Sequence, residues 1–484
     1  MSPGPLASGV SVRVLFVLKQ IDYEPQGILH LSSALKAAGH EVALTVAAQE
    51  DPVRFAQDYH PDVLGYSVTT GSQGYYLDLN RRLCAQVDAL SVFGGPHPTY
   101  FPEMIEAEGV DAICLGEGEE ALVELADTLA AGAPITGIRN WWVKDSEGTI
   151  HRNPIRPPTP DLDTLPPPDH RLVFDKDSFT RGTGLKHFIT GRGCPYNCAY
   201  CYNQAYQELY RGKGNVVRRR SVDKVLEELR WVRDGYPLQF VVFLDDTFIW
   251  PLDWLREFCA RYPSEIGLPF FCNVRPNLVN EEVVGLLREA GCVSVGMGLE
   301  SGDDEMRNRV LGRRLSRDQI LKAAHLLRLA SIQFITTNML GLPTGTRESD
   351  LATLELNLAC RPAYANSFLY QPYPRTALGD FAREQGLMCG EVDDIGSSAW
   401  DSTILNFDPD TKRELENLNH LFAIAVEWPR ALPLIKRLIR LPRNPLYRLA
   451  YKLWKGYAIK QRIHPYHPSP AEFVQTVRRF MRFD

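Results

Sequence analysis

The chain has 484 residues, 44% of them hydrophobic and 23% charged, with ten cysteines and a formal net charge of −6. This length and composition predict a globular protein of two or three domains, which needs neither disulfides nor a structural metal in order to fold. No segment approaches the roughly twenty apolar residues of a membrane span, and residues 1–9 lack the basic flank of a secretory signal. We therefore expect a cytoplasmic protein whose cysteines are metal ligands or buried thiols.

Residues 1–145 alternate short apolar runs with amphipathic stretches. The predicted strands are 12–17, 41–46, 63–68, 90–93 and 112–115, and the predicted helices are 28–38, 75–87 and 120–129. Strand–helix alternation predicts an α/β domain with a doubly wound, Rossmann-like parallel sheet. Ligands of such sheets bind beyond the carboxyl ends of the strands, so the loops at those ends are candidate binding segments.

Seven prolines lie between residues 153 and 170, which predicts a stiff, extended linker at 146–180. The alternation restarts over 181–385. Its predicted strands are 187–190, 240–244, 270–273, 294–298, 334–340 and 367–370, and its predicted helices are 222–234, 252–262, 281–290, 317–330 and 348–360. Six strand–helix units predict a partial (β/α)6 barrel or a strongly curved sheet, and the remaining region, 386–484, is predicted to be mainly helical.

Three cysteines follow the first strand of the predicted barrel, in the run Gly-Arg-Gly-Cys-Pro-Tyr-Asn-Cys-Ala-Tyr-Cys at 191–201. Cys194, Cys198 and Cys201, spaced C-x3-C-x2-C, can give three thiolates to one iron–sulfur cluster. A four-iron cluster with three protein ligands keeps one iron open, and that iron can bind the amino and carboxylate groups of S-adenosylmethionine (SAM). The alternatives are a zinc site or buried core thiols, but zinc favours four ligands in C-x2-C pairs and no such partner pair follows.

The cysteine run resembles the cluster motif of the radical SAM superfamily, and the resemblance spans most of residues 185–380. It implies cofactor contacts for the aromatic residue before the third cysteine and for motifs at the strand ends. These residues are Tyr200, Asp245, Asp246, Asn273, Arg275, Glu300, Gly341 and Pro343. Two alternatives stay open: the adjacent acids Asp245 and Asp246 could cap a helix, and Arg275 could simply pair with Glu300.

One residue departs from the family pattern. Relatives often end the sixth strand with Pro-Tyr-Pro-Gly-Thr, whereas residues 372–376 read Pro-Tyr-Pro-Arg-Thr. Arg375 therefore places a cation at the predicted barrel mouth, where it either contacts an anionic substrate or faces solvent.

The first domain resembles the cobalamin-binding domain of the B12-dependent radical SAM enzymes, through the segments 61–67, 93–99 and 115–119. Glycines in these segments let the backbone approach a large ligand, and hydroxyl groups can bind its tail. The implied cobalamin contacts are Ser67, Thr69, Thr70, Gly94, Gly95, Pro96, His97, Gly116, Glu117 and Gly118. At the position where a mutase-type domain carries its cobalt-ligating histidine this chain has Glu24, so no histidine ligates cobalt from there.

The resemblance implies a C-methyltransferase that acts on an unactivated carbon. One SAM would yield a 5′-deoxyadenosyl radical, the substrate radical would take a methyl group from methylcobalamin, and a second SAM would restore that group. An external one-electron reductant of the flavodoxin or ferredoxin type would be a partner. The alternatives are a B12-dependent radical SAM cyclase or ring-rearranging enzyme, and a radical SAM protein with a vestigial cobalamin domain. The sequence identifies neither the small-molecule or lipid-linked substrate nor any catalytic side chain.

The segment 428–484 is basic, with thirteen Lys and Arg against two acids. Tyr447, Tyr451, Trp454 and Tyr457 recur in it at helical spacing. Either this aromatic stripe packs on the barrel with the charges in water, or the helix lies on a membrane surface and serves a lipid-linked substrate. Nucleic acid is not an expected partner, because no recognition module accompanies the charge. The protein would then be cytoplasmic with peripheral membrane contact.

Overall fold

A computed structural model describes residues 11–390, 394–395 and 402–482. The chain forms two compact units, Met1–Arg181 with Tyr206–Arg220, and Gly182–Ala205 with Ser221–Asp484. The strands in chain order are β1 Arg13–Leu18, β2 Glu41–Val46, β3 Val63–Ser67, β4 Leu90–Gly94, β5 Ala112–Cys114, β6 Trp141–Lys144, β7 Ile150–Arg152, β8 Leu185–Phe188, β9 Gly191–Arg192, β10 Arg218–Arg219, β11 Phe240–Phe243, β12 Phe270–Val274, β13 Cys292–Glu300, β14 Gln333–Leu340 and β15 Tyr364–Leu369.

The helices lie between and after these strands. They are α1 Gln26–Ala37, α2 Pro52–Tyr59, α3 Gln73–Cys84, α4 Pro96–Tyr100, α5 Glu119–Ala130, α6 His170–Phe174, α7 Ser178–Gly182, α8 Tyr202–Leu209, α9 Val222–Gly235, α10 Leu252–Glu265, α11 Glu281–Glu289, α12 Arg317–Leu329, α13 Arg347–Cys360, α14 Ala377–Glu384, α15 Pro409–Glu427, α16 Leu432–Leu438, α17 Pro445–Ala458 and α18 Pro470–Arg482. Among the described residues, no helix is long and apolar enough to cross a membrane.

The first unit contains a seven-stranded sheet in the order β2-β1-β3-β4-β5-β6-β7. Its first five strands are parallel, and each is an apolar run because helices cover both faces of the sheet. The doubly wound, Rossmann-like α/β fold that we predicted is therefore confirmed.

A hairpin extends this sheet beyond the predicted strands. Strand β6 pairs antiparallel with β5, and β7 pairs antiparallel with β6. The turn is fixed by Asp145, whose side chain accepts hydrogen bonds from the backbone N–H groups of Glu147 and Thr149, at 3.0 and 2.9 Å. The domain limits at residues 145, 180 and 385 stay predictions, and this hairpin crosses the first of them.

The second unit contains a six-stranded parallel sheet in the order β15-β14-β13-β12-β11-β8. This half-barrel confirms the predicted partial barrel, with strand ends displaced from the predicted positions by a few residues. Because all six strands run in the same direction, their carboxyl ends share one edge of the sheet, and the loops that carry the predicted motifs follow those ends.

The C-terminal helices pack on the outside and on the opposite edge of the half-barrel. Helix α15 buries Leu418 and Phe422 in one apolar cluster with Leu369 of β15. After α17, Arg462 donates a hydrogen bond to the carbonyl of Ala363 at 3.1 Å, just before β15 begins. The mainly helical C-terminal region that we predicted is therefore confirmed, and the segment after α17 lies at the amino end of β15.

Candidate active site

The three motif cysteines lie on the loop that follows β8 and β9 and ends at α8. Cys198 is buried, and Cys194 and Cys201 are partly buried. Each sulfur has a polar neighbour. The Sγ of Cys194 lies 3.6 Å from Thr247 Oγ1, that of Cys198 lies 3.6 Å from Arg275 Nη1, and that of Cys201 lies 3.5 Å from both the N and the Nδ2 of Asn203. These are hydrogen-bond donors of the kind that surround cluster thiolates.

The ionisation of the thiols is set by burial. Burial raises the pKa of Cys201 to about 11 and also raises the pKa of Cys194. Both thiols are therefore protonated at neutral pH in the protein alone, and a bound metal centre would displace their protons. Among the described residues, no three His, Cys, Asp or Glu side chains are grouped around a single-ion position. The fit to an iron–sulfur cluster rests on the donor set, namely three thiols on one loop, each beside a polar group.

A buried group of charges lies next to Cys198. Arg275 places its guanidinium 3.7 Å from the ring centroid of Tyr196 and donates to the backbone carbonyl of Arg313. Arg313 in turn donates to the hydroxyl of Tyr200 at 2.9 Å. Both guanidiniums are buried. Two buried cations beside the cysteine loop favour the binding of an anionic group there.

Glu300 ends β13 within this group. Its Oε1 lies 3.8 Å from Arg313 Nη1 and accepts a hydrogen bond from Thr337 Oγ1 at 3.1 Å. Its ion-pair partner is therefore Arg313, rather than Arg275, the partner that the sequence analysis considered. The φ of Glu300 is 68°, a left-handed conformation that a non-glycine residue adopts at a cost and that is common at functional sites.

The second carboxylate oxygen of Glu300 is the feature best suited to a ligand. Glu300 Oε2 is buried and accepts no hydrogen bond from the described residues. Burial raises the pKa of this carboxyl, while Arg313 lowers it. An unpaired buried acceptor is costly unless a ligand donates to it. The site thus fits a ligand with an amino group, as SAM has.

The two adjacent acids of the second strand have different roles. Asp245 is buried and accepts hydrogen bonds from the backbone N–H of Thr190 at 3.0 Å and from its hydroxyl at 2.9 Å, which joins the ends of β8 and β11. Asp246 is exposed and accepts from Asn203 Nδ2 at 2.8 Å, beside Cys201. Asn273 donates its Nδ2 to the carbonyl of Asp245 at 2.9 Å. Neither acid caps α10, since that helix begins at Leu252.

The loops after β14 and β15 complete this edge. Gly341 has a φ of 65° and donates its N–H to Asp350 Oδ1 at 3.1 Å, and Pro343 is buried in the same loop. Burial raises the pKa of Asp350 to about 7. Arg375 is exposed and has a φ of 63°, so the residue that replaces the family's glycine keeps a glycine-like backbone conformation.

In the first unit, the predicted cobalamin residues lie together at the carboxyl ends of β3, β4 and β5. His97 Nδ1 lies 3.2 Å from Thr70 Oγ1. At Gly95, whose φ is 94°, a Cβ would lie 2.9 Å from the backbone N of Val68. The other predicted residues at this edge are Ser67, Thr69, Gly94, Pro96, Gly116 and Gly118. Glu24, in the place of a cobalt-ligating histidine, is buried.

Glu117 has protein partners at this edge. It forms a bidentate ion pair with Arg218, and the side chains of the two residues are only 9% and 4% exposed. It also accepts hydrogen bonds from the Tyr206 hydroxyl at 2.7 Å and from the N–H of Thr159 at 2.9 Å. A Cβ on the neighbouring Gly116 would lie 2.2 Å from the hydroxyl of Tyr210. The segment 206–220 therefore holds this loop in place.

Sequence reasoning missed several residues of these two sites, among them Arg313, Thr337, Asn203, Tyr206 and Arg218. Arg313 stands in Leu-Gly-Arg-Arg, after the fourth strand, and Arg218 stands in Arg-Arg-Arg at 218–220. The spacing within a basic run does not show which residue is buried in an ion pair and which is exposed to solvent. The two arginines are found only through the carboxylates that they contact.

Two protein families match separate parts of the chain. The Radical SAM superfamily matches residues 188–356, and the B12 binding domain matches residues 13–126. The chain belongs to the radical SAM enzymes that carry a cobalamin-binding domain. Membership confirms the predicted cofactors, which are a [4Fe–4S] cluster, SAM and cobalamin.

Three relatives of this radical SAM enzyme are informative. An uncharacterized methyltransferase of Pyrococcus horikoshii is 28% identical over 374 residues, 75% of this chain and 79% of that protein. An anaerobic magnesium-protoporphyrin IX monomethyl ester cyclase of Rubrivivax gelatinosus is 25% identical over 73% of this chain and 65% of its own length. The structure of the methyltransferase TsrM from Kitasatospora setae, with cobalamin and a [4Fe–4S] cluster bound, matches with a TM-score of 0.65 at 21% identity, covering 79% of this chain and 76% of TsrM. That similarity shows a shared fold.

Proposed function

We propose that the protein is a B12-dependent radical SAM C-methyltransferase that acts on an unactivated carbon of a small-molecule substrate. The observation that carries this proposal is the presence, in one chain, of a cobalamin-binding domain and of a half-barrel whose three thiols lie beside buried cations and a carboxylate with an unpaired oxygen. When bound, the cluster supplies the electron that cleaves SAM, and cobalamin carries the methyl group. Two of the relatives are methyltransferases.

The side chains of this site provide binding and electrostatics. Arg275 and Arg313 hold positive charge beside Cys198, which favours binding of the SAM carboxylate. Glu300 Oε2 offers an acceptor for the SAM amino group. Asp245 and Asn273 fix the ends of their strands, so that these groups are held in place before a ligand arrives.

The partners follow from the same chemistry. We propose that the cluster receives electrons from an external one-electron reductant of the flavodoxin or ferredoxin type. Arg375 is the candidate contact for an anionic substrate, because it is an exposed cation at the loop that follows the sixth strand.

A cyclase is the second candidate, and the similarity to the magnesium-protoporphyrin ester cyclase favours it. The two activities differ in whether the product carries a methyl group derived from SAM. The full chain, reconstituted anaerobically with iron, sulfide and cobalamin, would be given reductant and methyl-deuterated SAM. Mass spectrometry would then follow 5′-deoxyadenosine and deuterated methylcobalamin. Both are expected.

The outcomes separate the candidates. If 5′-deoxyadenosine forms without deuterated methylcobalamin, the enzyme is a cyclase or a ring-rearranging enzyme. If neither forms, the cobalamin domain is vestigial and the chain has no radical SAM activity. Cys198→Ala is expected to abolish 5′-deoxyadenosine formation. Cys389→Ala is the matched control, because Cys389 is an exposed cysteine of the same unit outside the motif.

A further inference from the structure

Helices α16 and α17, with the turn between them, expose an unusual number of leucines. We call this set the leucine face. It consists of Leu434 (57% exposed), Leu441 (49%), Leu446 (64%), Leu449 (44%) and Leu453 (64%). Single exposed leucines are ordinary on protein surfaces, but a run of them on adjacent elements marks an interaction site.

The leucine face is distinct from the face that these helices bury. On α17 the buried residues are Tyr447, Tyr451 and Ala458, while Leu446, Leu449 and Leu453 recur at the three- and four-residue spacing of another side. The aromatic stripe seen in the sequence is thus largely the packed side of the helix. The helix has a second apolar side, which the protein's own core does not cover.

The charge around the leucine face identifies its partner. Residues 432–460 contain eight Lys and Arg and no acid. They are Lys436, Arg437, Arg440, Arg443, Arg448, Lys452, Lys455 and Lys460. Helix α15 pairs with two of them, through Glu416 to Arg443 and through Glu414 to Arg440 at 3.9 Å. Lys455 donates to the hydroxyl of Tyr451 at 2.9 Å, and Lys460 lies 3.9 Å from the ring centroid of Phe473. The segment remains strongly basic, so its partner carries negative charge beside an apolar phase.

A second copy of this chain does not have that chemistry. Pairing two leucine faces would bring two groups of eight cations together without an acid from either segment. An anionic bilayer surface meets both requirements, because leucines enter the boundary between headgroups and acyl chains while Lys and Arg contact the phosphates. The segment 428–484 carries +11 against −6 for the whole chain, which leaves −17 on the rest. Such a charge distribution turns the basic segment toward an anionic surface.

We propose that the leucine face and its basic flanks dock this enzyme on the anionic surface of a phospholipid bilayer. The half-exposed aromatics Trp428 and Tyr457 lie together on this region, since their ring centroids are 4.8 and 5.5 Å from that of Trp454. Aromatic side chains of this kind are enriched at bilayer interfaces. Docking would give the enzyme access to lipid-linked or lipid-dissolved substrates. The binding itself is independent of which reaction the enzyme catalyses.

The test is flotation of the full chain with vesicles of phosphatidylcholine, with and without phosphatidylglycerol. The wild-type protein is expected to float with the anionic vesicles only. The triple variant Leu446→Gln, Leu449→Gln, Leu453→Gln is expected to bind at least a hundredfold more weakly, because each leucine loses the transfer of its side chain from water. Leu329→Gln is the matched control, since Leu329 is 68% exposed on α12, outside the basic segment.

A second variant tests the charge. Each Lys or Arg near an anionic surface strengthens binding about fivefold, so Lys436→Glu with Arg437→Glu is expected to weaken binding more than tenfold and to make the remainder less sensitive to salt. Substitution is preferable to truncation, because Ile463 and Ala458 of the same region are buried in an apolar cluster with Tyr364 of β15. Thermal melting of each variant would verify that it is folded.

Four results would overturn the proposal. Three concern vesicles: absence of wild-type binding, equal binding to neutral vesicles, and unchanged binding of the folded triple variant. The fourth is a concentration-dependent wild-type dimer in sedimentation that the triple variant does not form, because it would assign the leucine face to a second copy of the chain.

Discussion

Replacing Glu117 by Gln is expected to destabilise the first unit by about 3–5 kcal/mol. The change keeps the shape of the side chain but removes the anion that faces Arg218, whose side chain is 4% exposed and cannot be solvated in place. It also sets an amide N–H group against the guanidinium in one orientation of the Gln side chain. For a unit of this size each kcal/mol lowers the melting temperature by about 2–4 °C, so a decrease of roughly 6–20 °C is expected.

The assay is thermal unfolding of the chain without cofactors, followed by circular dichroism, together with a cobalamin titration of the folded protein. Asp78→Asn is the matched control, because Asp78 forms an exposed ion pair with Arg81 in the same unit and is expected to change stability by less than about 1 kcal/mol. The double variant Glu117→Gln, Arg218→Met removes both charges and is expected to recover most of the lost stability.

The opposite pattern would refute this reasoning. If Glu117→Gln melts like the wild type but binds cobalamin more weakly, then Glu117 serves the cofactor, as the resemblance implied, and its ion pair with Arg218 contributes little to the fold. A Glu117→Gln protein that is both destabilised and not rescued by Arg218→Met would show that the hydrogen bonds of the carboxylate, rather than its charge, hold the segment 206–220.

Three further changes test other parts of the structure. The pKa of Asp350 is raised to about 7, so between about pH 4 and 7 the folded state binds more protons than the unfolded state. The melting temperature of the wild type should therefore fall as pH rises through this range, and that of Asp350→Asn should lack this fall. The same pH dependence of the melting temperature in both proteins would contradict the prediction. Gly302→Ala should cost about 1–3 kcal/mol, since its Cβ would lie 2.1 Å from a helix carbonyl, whereas Gly285→Ala, with nothing within 4 Å, should be neutral or gain up to about 1 kcal/mol in chemical denaturation. Arg275→Met removes a cation and a hydrogen-bond donor 3.6 Å from Cys198 Sγ, so the reduction potential of the reconstituted cluster should become more negative. An EPR-monitored redox titration measures this potential, and an unchanged value would exclude an electrostatic role of Arg275 at the cluster.

The sequence alone determined the architecture and the motif loops. Apolar runs of strand length that alternate with amphipathic helices specify parallel sheets, because a strand covered on both faces must be apolar throughout. Since parallel strands end at one edge, motifs placed directly after strands had to meet there, as Cys198, Asp245 and Glu300 do. The hairpin of β6 and β7 was missed, because its strands are only four and three residues long and no helix stands between them, so the strand–helix alternation stops there.

Only the tertiary structure decided which side chains meet. Glu300 pairs with Arg313 rather than Arg275, and Glu117 pairs with Arg218, about a hundred positions away, because charge partners are chosen by position in space and not by spacing along the chain. The same holds for α17, where aromatic and leucine stripes are both apolar. The aromatic stripe packs inward at Tyr447 and Tyr451, and the leucines are left in water, because a helix can turn only one side toward a given neighbour.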